Sequence, residues 1–177
     1  MITGNDIVGG SIWSFGAERL TIRGNQVHGL RWGPSLDIVG GSDHEITDND
    51  LFDDMQPMRL TGVSRATVAD NRGRGRWWGI HLRGCTKVVV RANTVEHTAR
   101  AVCVEGGRDN RVEGNRAFRC DTGVLVEQGA VGTVISGNEL ERCRVGLLLW
   151  EQEGSTLTGN VITGSRHHDV VTRDDQP

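Results

Sequence analysis

The chain has 177 residues, with 20 Lys and Arg against 23 Asp and Glu, a formal net charge of −3, 25 glycines and no tyrosine. That length suits one soluble domain spanning residues 1–177, whether it stands alone or forms part of a longer chain. No apolar run is long enough to cross a membrane and no basic stretch is concentrated enough to hold a polyanion, so neither membrane nor nucleic acid is an expected partner.

Along the chain the dominant signal is an asparagine that keeps returning: Asn5, Asn25, Asn49, Asn71, Asn93, Asn115, Asn138 and Asn160, at intervals of 20, 24, 22, 22, 22, 23 and 22 residues. An apolar residue stands three positions before each one, as Ile22 does for Asn25 and Leu157 for Asn160. Gly or Asp usually comes immediately before it, and Val, Leu or Ile usually two positions after it. A period this short is a single structural unit that buries its apolar face only by stacking on its neighbours. Within each period the apolar residues alternate over short runs, such as Ile80 and Leu82 or Val124 and Val126, between Gly, Asn, Asp and Arg clusters. Runs this brief read as strands rather than helices. An asparagine at each tight corner is expected to adopt a left-handed backbone and to pair its amide with the asparagine one layer above.

Aligning the periods on their asparagines predicts one strand per period at residues 11–15, 35–39, 57–61, 79–83, 101–105, 123–127 and 146–150. The second and fourth residues of these strands are almost all apolar and are expected to face inward, so the third and fifth face outward. The third positions read Trp13, Asp37, Arg59, His81, Cys103, Leu125 and Leu148; the fifth read Phe15, Val39, Thr61, Arg83, Glu105, Glu127 and Trp150.

This pattern resembles the right-handed parallel β-helix of pectate lyases, alginate lyases and epimerases, and the resemblance covers essentially the whole chain. It implies an all-β fold, a single-stranded right-handed parallel β-helix of seven to eight coils with an asparagine ladder. For function it is a weak guide, because that fold carries lyases, hydrolases, isomerases, adhesins and noncatalytic stacks. In the lyases and epimerases the cleft lies on such a strand face, and removal of a proton beside a carboxylate is the shared first step.

Residues one period apart should stand about 4.8 Å apart, which places Asp37, Arg59 and His81 in one row beside Arg83, Glu105 and Glu127. An imidazole titrates near neutrality and serves as a base, while a guanidinium grips a carboxylate and steadies a developing enolate. His81 is therefore the candidate base, Arg59 and Arg83 the carboxylate or oxyanion partners, and Asp37 and Glu105 their supporting acids. Trp77, Trp78, Asp53, Asp54 and His97 lie in turns expected to wall a groove, and with Glu127 and Trp13 they are candidate substrate-binding residues. Paired aromatics beside charges suit a sugar ring. Asp53 or Asp54 with Glu105 would be the carboxylate pair of a glycoside hydrolase. The competing reading is plain: opposite charges on adjacent turns are commonly ordinary surface pairs worth under about 1 kcal/mol.

The absence of tyrosine, with Lys87 the only lysine, leaves the tyrosine- and lysine-dependent sets of several polysaccharide lyases without counterparts. The expected activity is that of a lyase, isomerase or epimerase acting on a carboxylated sugar or a small carboxylated or hydroxylated metabolite. A noncatalytic carbohydrate-binding or structural module is the alternative, and a hydrolase the second alternative. No cofactor and no metal site are expected. Cys120 and Cys143 are one period apart, within disulfide reach, although reduced thiols are expected because no secretory signal is present and the cytoplasm is favoured. The first residues already lie inside the repeat, so either a missing N-terminal capping segment or a homo-oligomer is expected to cover that end. The apolar stripe of Leu125, Leu148 and Trp150 suggests burial against another subunit.

Overall fold

A computed structural model describes residues 1–173. Every regular element in it is a strand, and every pairing is parallel. The chain coils through three eight-stranded sheets, each taking one strand from every turn, so that strand n of a sheet pairs with the strand one full coil later. Representative turns run through Thr67–Ala69, Arg72–Gly75 and Trp78–Arg83, then Val89–Arg91, Thr94–Glu96 and Arg100–Glu105. This is a right-handed parallel β-helix of about eight turns, as the periodicity predicts.

The interior follows directly from the repeat. The residue three before each of the six inner asparagines forms one fully buried column, Ile22, Ile46, Val68, Val90, Val112 and Ile135, which opens at its ends, Ile2 and Leu157. The third sheet contributes two more, running through Leu36, Met58 and Ile80 and through Ile38, Leu60 and Leu82. Seven amide-to-amide hydrogen bonds of 2.8–3.0 Å join the eight asparagines, each side chain donating to the Oδ1 of the next turn. The left-handed residue at this corner is not the asparagine, however, but the one before it: Gly24, Asp48, Asp70, Ala92, Gly114, Gly137 and Gly159 all have positive φ. The asparagine itself is not left-handed, and its own N–H also reaches the next Oδ1, as Asn93 N does on Asn115 at 3.0 Å. The usual Gly or Asp before each asparagine is the trace of that requirement.

Strands of the third sheet begin one residue earlier than the alternation suggests, at Pro34, Gln56, Trp78, Arg100, Thr122 and Val145. A bend causes this. The second residue turns inward at the junction with the second sheet, which frees the first to join the outer face. At Gly79 a Cβ would lie 2.3 Å from Val95 Cγ1 and 2.5 Å from the Ala101 carbonyl oxygen. One turn on, the same strand position is Ala101, and the interior residue in register with Val95 is the smaller Ala117. Gly79→Ala is therefore expected to overpack this junction and cost roughly 1–3 kcal/mol, read as a lower urea midpoint with an unchanged slope.

A second polar seam runs inside the corner that follows the third sheet. Buried His44 accepts the Leu20 N–H at Nδ1, 3.3 Å, while Asn110 accepts the Val88 N–H at 3.0 Å and donates to the Cys85 carbonyl at 2.9 Å. These residues share a column with Ala66 and Thr133, and the mixture of residue types hides it from a search for one repeated amide.

Candidate functional site on the outer face of the third sheet

Register places the expected row as neighbours: Trp13 pairs with Asp37, Asp37 with Arg59, Arg59 with His81, His81 with Cys103, and Cys103 with Leu125. The column faces outward but is largely sealed, with Asp37 9% exposed, His81 6% and Leu125 1%. The reason is the bend just described. Gln56, Trp78 and Arg100 rise along one side of it, and Arg83, Glu105 and Glu127 along the other. Of the expected apolar stripe, Leu125 is buried by its own chain, Leu148 is half-buried and Trp150 is exposed. Cys103 stands in this same column rather than at a corner, and only Trp13, 63% exposed and stacked against Phe15 at 6.3 Å, lies open at the lower end.

Two charge groups occupy the face. Arg59 donates to both carboxylate oxygens of Asp37, from Nε at 3.0 Å and from Nη2 at 2.6 Å. The Asp37 hydrogen bond raises the Arg59 guanidinium further above its ordinary value. One turn up, His81 Nε2 lies 3.0 Å from Glu105 Oε2, and Arg83 Nε lies 2.9 Å from Glu105 Oε1. The other ring nitrogen, Nδ1, is 3.3 Å from the Gln56 side-chain amide, and the ring stacks on Trp78 at 5.2 Å. Arg100 lies over the far part of the same indole at 5.6 Å, and Trp77 meets it edge-on at 5.7 Å. Glu127 accepts a weak contact from the Cys103 thiol at 3.8 Å, and burial pushes its carboxyl above the usual range.

Burial is also what moves His81, whose imidazole is held below its ordinary value; the Glu105 hydrogen bond opposes this without overcoming it. The neutral ring donates Nε2–H to Glu105 and accepts from Gln56 at Nδ1. Since the folded protein takes up this proton less readily than the unfolded chain, the stability His81 contributes is complete above the unfolded value of about 6.5. It is lost as pH falls toward the lower folded value. Thermal melts between pH 7 and pH 5 should show a decline that is smaller in His81→Gln.

The remaining candidates sit at the corner between the second and third sheets. Asp53, Asp54 and His97 line a cavity of about 760 Å³ there, together with Arg31, Trp32, Arg74 and Arg76. Asp54 is buried and both of its oxygens are taken, Oδ1 by the Leu30 N–H at 2.6 Å and Oδ2 by the Ser35 hydroxyl. That leaves it no free oxygen for a hydrolytic pair with Glu105. Sequence reasoning missed Arg31 and Trp32, although a signal existed. The third-sheet strand starts nine residues after Asn25 but seven after Asn49, Asn71, Asn93, Asn115 and Asn138. The 24-residue interval thus marks a two-residue insertion in this corner.

A continuous parallel coil with an amide ladder and a walled outer face defines a right-handed parallel β-helix protein. The chain belongs to the family described as periplasmic copper-binding protein (NosD), whose model matches residues 2–176. Membership overturns the expectation of a cytoplasmic protein, since the family is a periplasmic one. No curated protein sequence matches the chain. Among solved structures, the chain is similar to the periplasmic alginate epimerase AlgG, at 14% identity and a TM-score of 0.65 over 97% of this chain and 51% of that one. It is also similar to the catalytic domain of the GH87 alpha-1,3-glucanase in complex with tetrasaccharides, at 10% identity and a TM-score of 0.41 over 97% and 63%. The likeness to AlgG is one of fold alone, and the chain spans about half the length of that protein.

Copper is held by thiolate, thioether and imidazole donors. Among the described residues no three His, Cys, Asp or Glu side chains converge. The Cys85 thiol lies 3.3 Å from the Leu60 carbonyl and burial pushes it up to about 11, while His81 has both ring nitrogens occupied. All four cysteines are buried thiols, and proximity to Cys143 lowers the value of Cys120. Among the described residues these histidine, cysteine and carboxylate side chains form no three-donor copper centre.

Proposed function

We propose that the outer face of the third sheet transfers a proton on a carboxylated saccharide, in the manner of an epimerase or lyase. The observation that carries this reading is His81: an imidazole kept neutral by burial, tied to Glu105 through Nε2, with Arg59 on the preceding turn and Arg83 two residues along the same strand. Nδ1 is then the accepting nitrogen, and the Gln56 amide that occupies it in the resting protein gives way to substrate. The more exposed Arg83 receives the substrate carboxylate and stabilises the charge that spreads onto it as the adjacent carbon loses its proton. Return of a proton to the opposite face gives the epimer; expulsion of the neighbouring oxygen substituent gives the unsaturated sugar. Both outcomes share the first step but are read differently. Uronate oligosaccharides incubated with the protein in deuterated water should gain deuterium at the carbon bearing the carboxylate where a proton returns, or give an unsaturated product without hydrogen at that carbon where the substituent leaves; neither deuterium uptake nor unsaturated product with any uronate would refute the reading.

A noncatalytic saccharide-binding face is the second reading. It is favoured by one specific feature, that the charges are already mutually paired as Asp37 with Arg59 and as His81 with Glu105 and Arg83. Uronate binding without deuterium uptake or product would decide for it.

A further inference from the structure

We infer that the cavity at the corner between the second and third sheets is a separate recognition subsite for an acidic saccharide, with Arg31, Arg74 and Arg76 taking carboxylates and Trp32 taking a ring face. It rests on the saccharide reading above for its ligand class but uses none of the residues assigned to proton transfer. Some arginines of the chain are matched to carboxylates, as Arg23 is to Asp48, Arg59 to Asp37, Arg65 to Asp43, Arg83 to Glu105 and Arg111 to Glu113, while others, such as Arg72, Arg91 and Arg108, have no ion pair among the described residues. What sets this cavity apart is that three arginines gather on one lining. Among the described residues Arg31 and Arg76 have no ion-pair partner, and Arg74 lies over the Phe52 ring at 5.8 Å rather than on a carboxylate. Three guanidinium groups on one concavity of about 760 Å³ offer several donors to an anionic ligand at once, although Asp53 and Asp54 stand on the same lining. Of the two acids there, Asp53 is exposed, and Asp54 is committed to the loop and pushed above its usual range by burial.

The loop is built for presentation. Its two extra residues carry Arg31 and Trp32 over the cavity, and Asp54 anchors both of its ends, at Leu30 and at Ser35. Trp32 remains 78% exposed despite its size, on a lining where charged groups stand beside Leu30, Met55 and Gly75. An indole held open beside free guanidinium groups matches the two surfaces of a uronate, an apolar ring face and a carboxylate edge.

Calorimetric titration with tetrasaccharides of glucuronate, galacturonate and mannuronate, each beside its carboxyl-reduced neutral counterpart, tests this. At least one uronate should bind tenfold or more tightly than its neutral form. The double variant Arg31→Ala/Arg76→Ala should bring that ratio close to one, and Trp32→Ala should weaken acidic and neutral forms together. Equal binding of the two forms, a ratio unaffected by the double variant, or no binding by any uronate overturns the inference. The two readings fail separately. A binding ratio unaffected by the double variant beside intact deuterium uptake removes this subsite and leaves proton transfer standing, whereas arginine-dependent binding without any turnover does the reverse.

Discussion

Replacing Asn93 with alanine is expected to destabilise the protein by roughly 3 kcal/mol or more, the largest stability loss of any single ladder position except its equally buried neighbours. The Asn93 side chain donates to Asn115 Oδ1, Val68 O and Arg91 O at 2.9, 2.9 and 3.0 Å, and its Oδ1 accepts from both the backbone and the side chain of Asn71 at 2.9 Å. Alanine would remove all of these and strand the Asn71 N–H in an interior that water does not reach. Orphaned buried groups of this kind cost about 1–3 kcal/mol each, because their hydration is not restored. Asn5 supplies the control. It is exposed at one end of the row and donates to Asn25 and Thr3 only, so Asn5→Ala should cost under about 1 kcal/mol. Urea midpoints of the two variants measure the contrast, and equal losses would contradict a ladder whose strength comes from burial.

His81→Ala carries the largest expected effect on activity. If His81 Nδ1 takes the proton, its loss should lower the rate of deuterium uptake by about 10²–10⁴-fold, the usual contribution of a positioned base, with little change in KM. The fold should persist, because the hydrophobic columns behind it, Ile80 and Leu82, are untouched. Glu105→Gln should fall between wild type and His81→Ala, since the imidazole would keep a hydrogen-bond partner but lose the carboxylate that fixes its tautomer. The acid limb of the rate profile should lie below about pH 6.5, following the direction in which burial moves His81. A full rate in His81→Ala would assign the chemistry elsewhere.

The sequence makes the coil, the inward columns and the asparagine row legible because each depends on a residue recurring at one interval. The vertical order of Asp37, Arg59 and His81 comes from the same arithmetic. What that arithmetic does not contain is how neighbouring columns lean on one another. Trp78 was expected in a turn and instead starts a strand and covers His81, because Gly79 bends inward beneath it. Asp54 lines the expected groove but also fastens a loop, a role set by the Leu30 N–H from the preceding turn, which spacing does not contain. The left-handed corner was assigned to the asparagine when it belongs to the residue before, since both positions repeat together and spacing does not separate them.

The corner that carries Arg31 and Trp32 is longer than its counterparts, yet Leu36 still pairs with Ile12 below and Met58 above. Extra length is thus spent sideways, into solvent, and the stack on either side is left as it was. A coil built this way can acquire or discard recognition surfaces one corner at a time, so close relatives could share every strand and still differ completely in what they grasp.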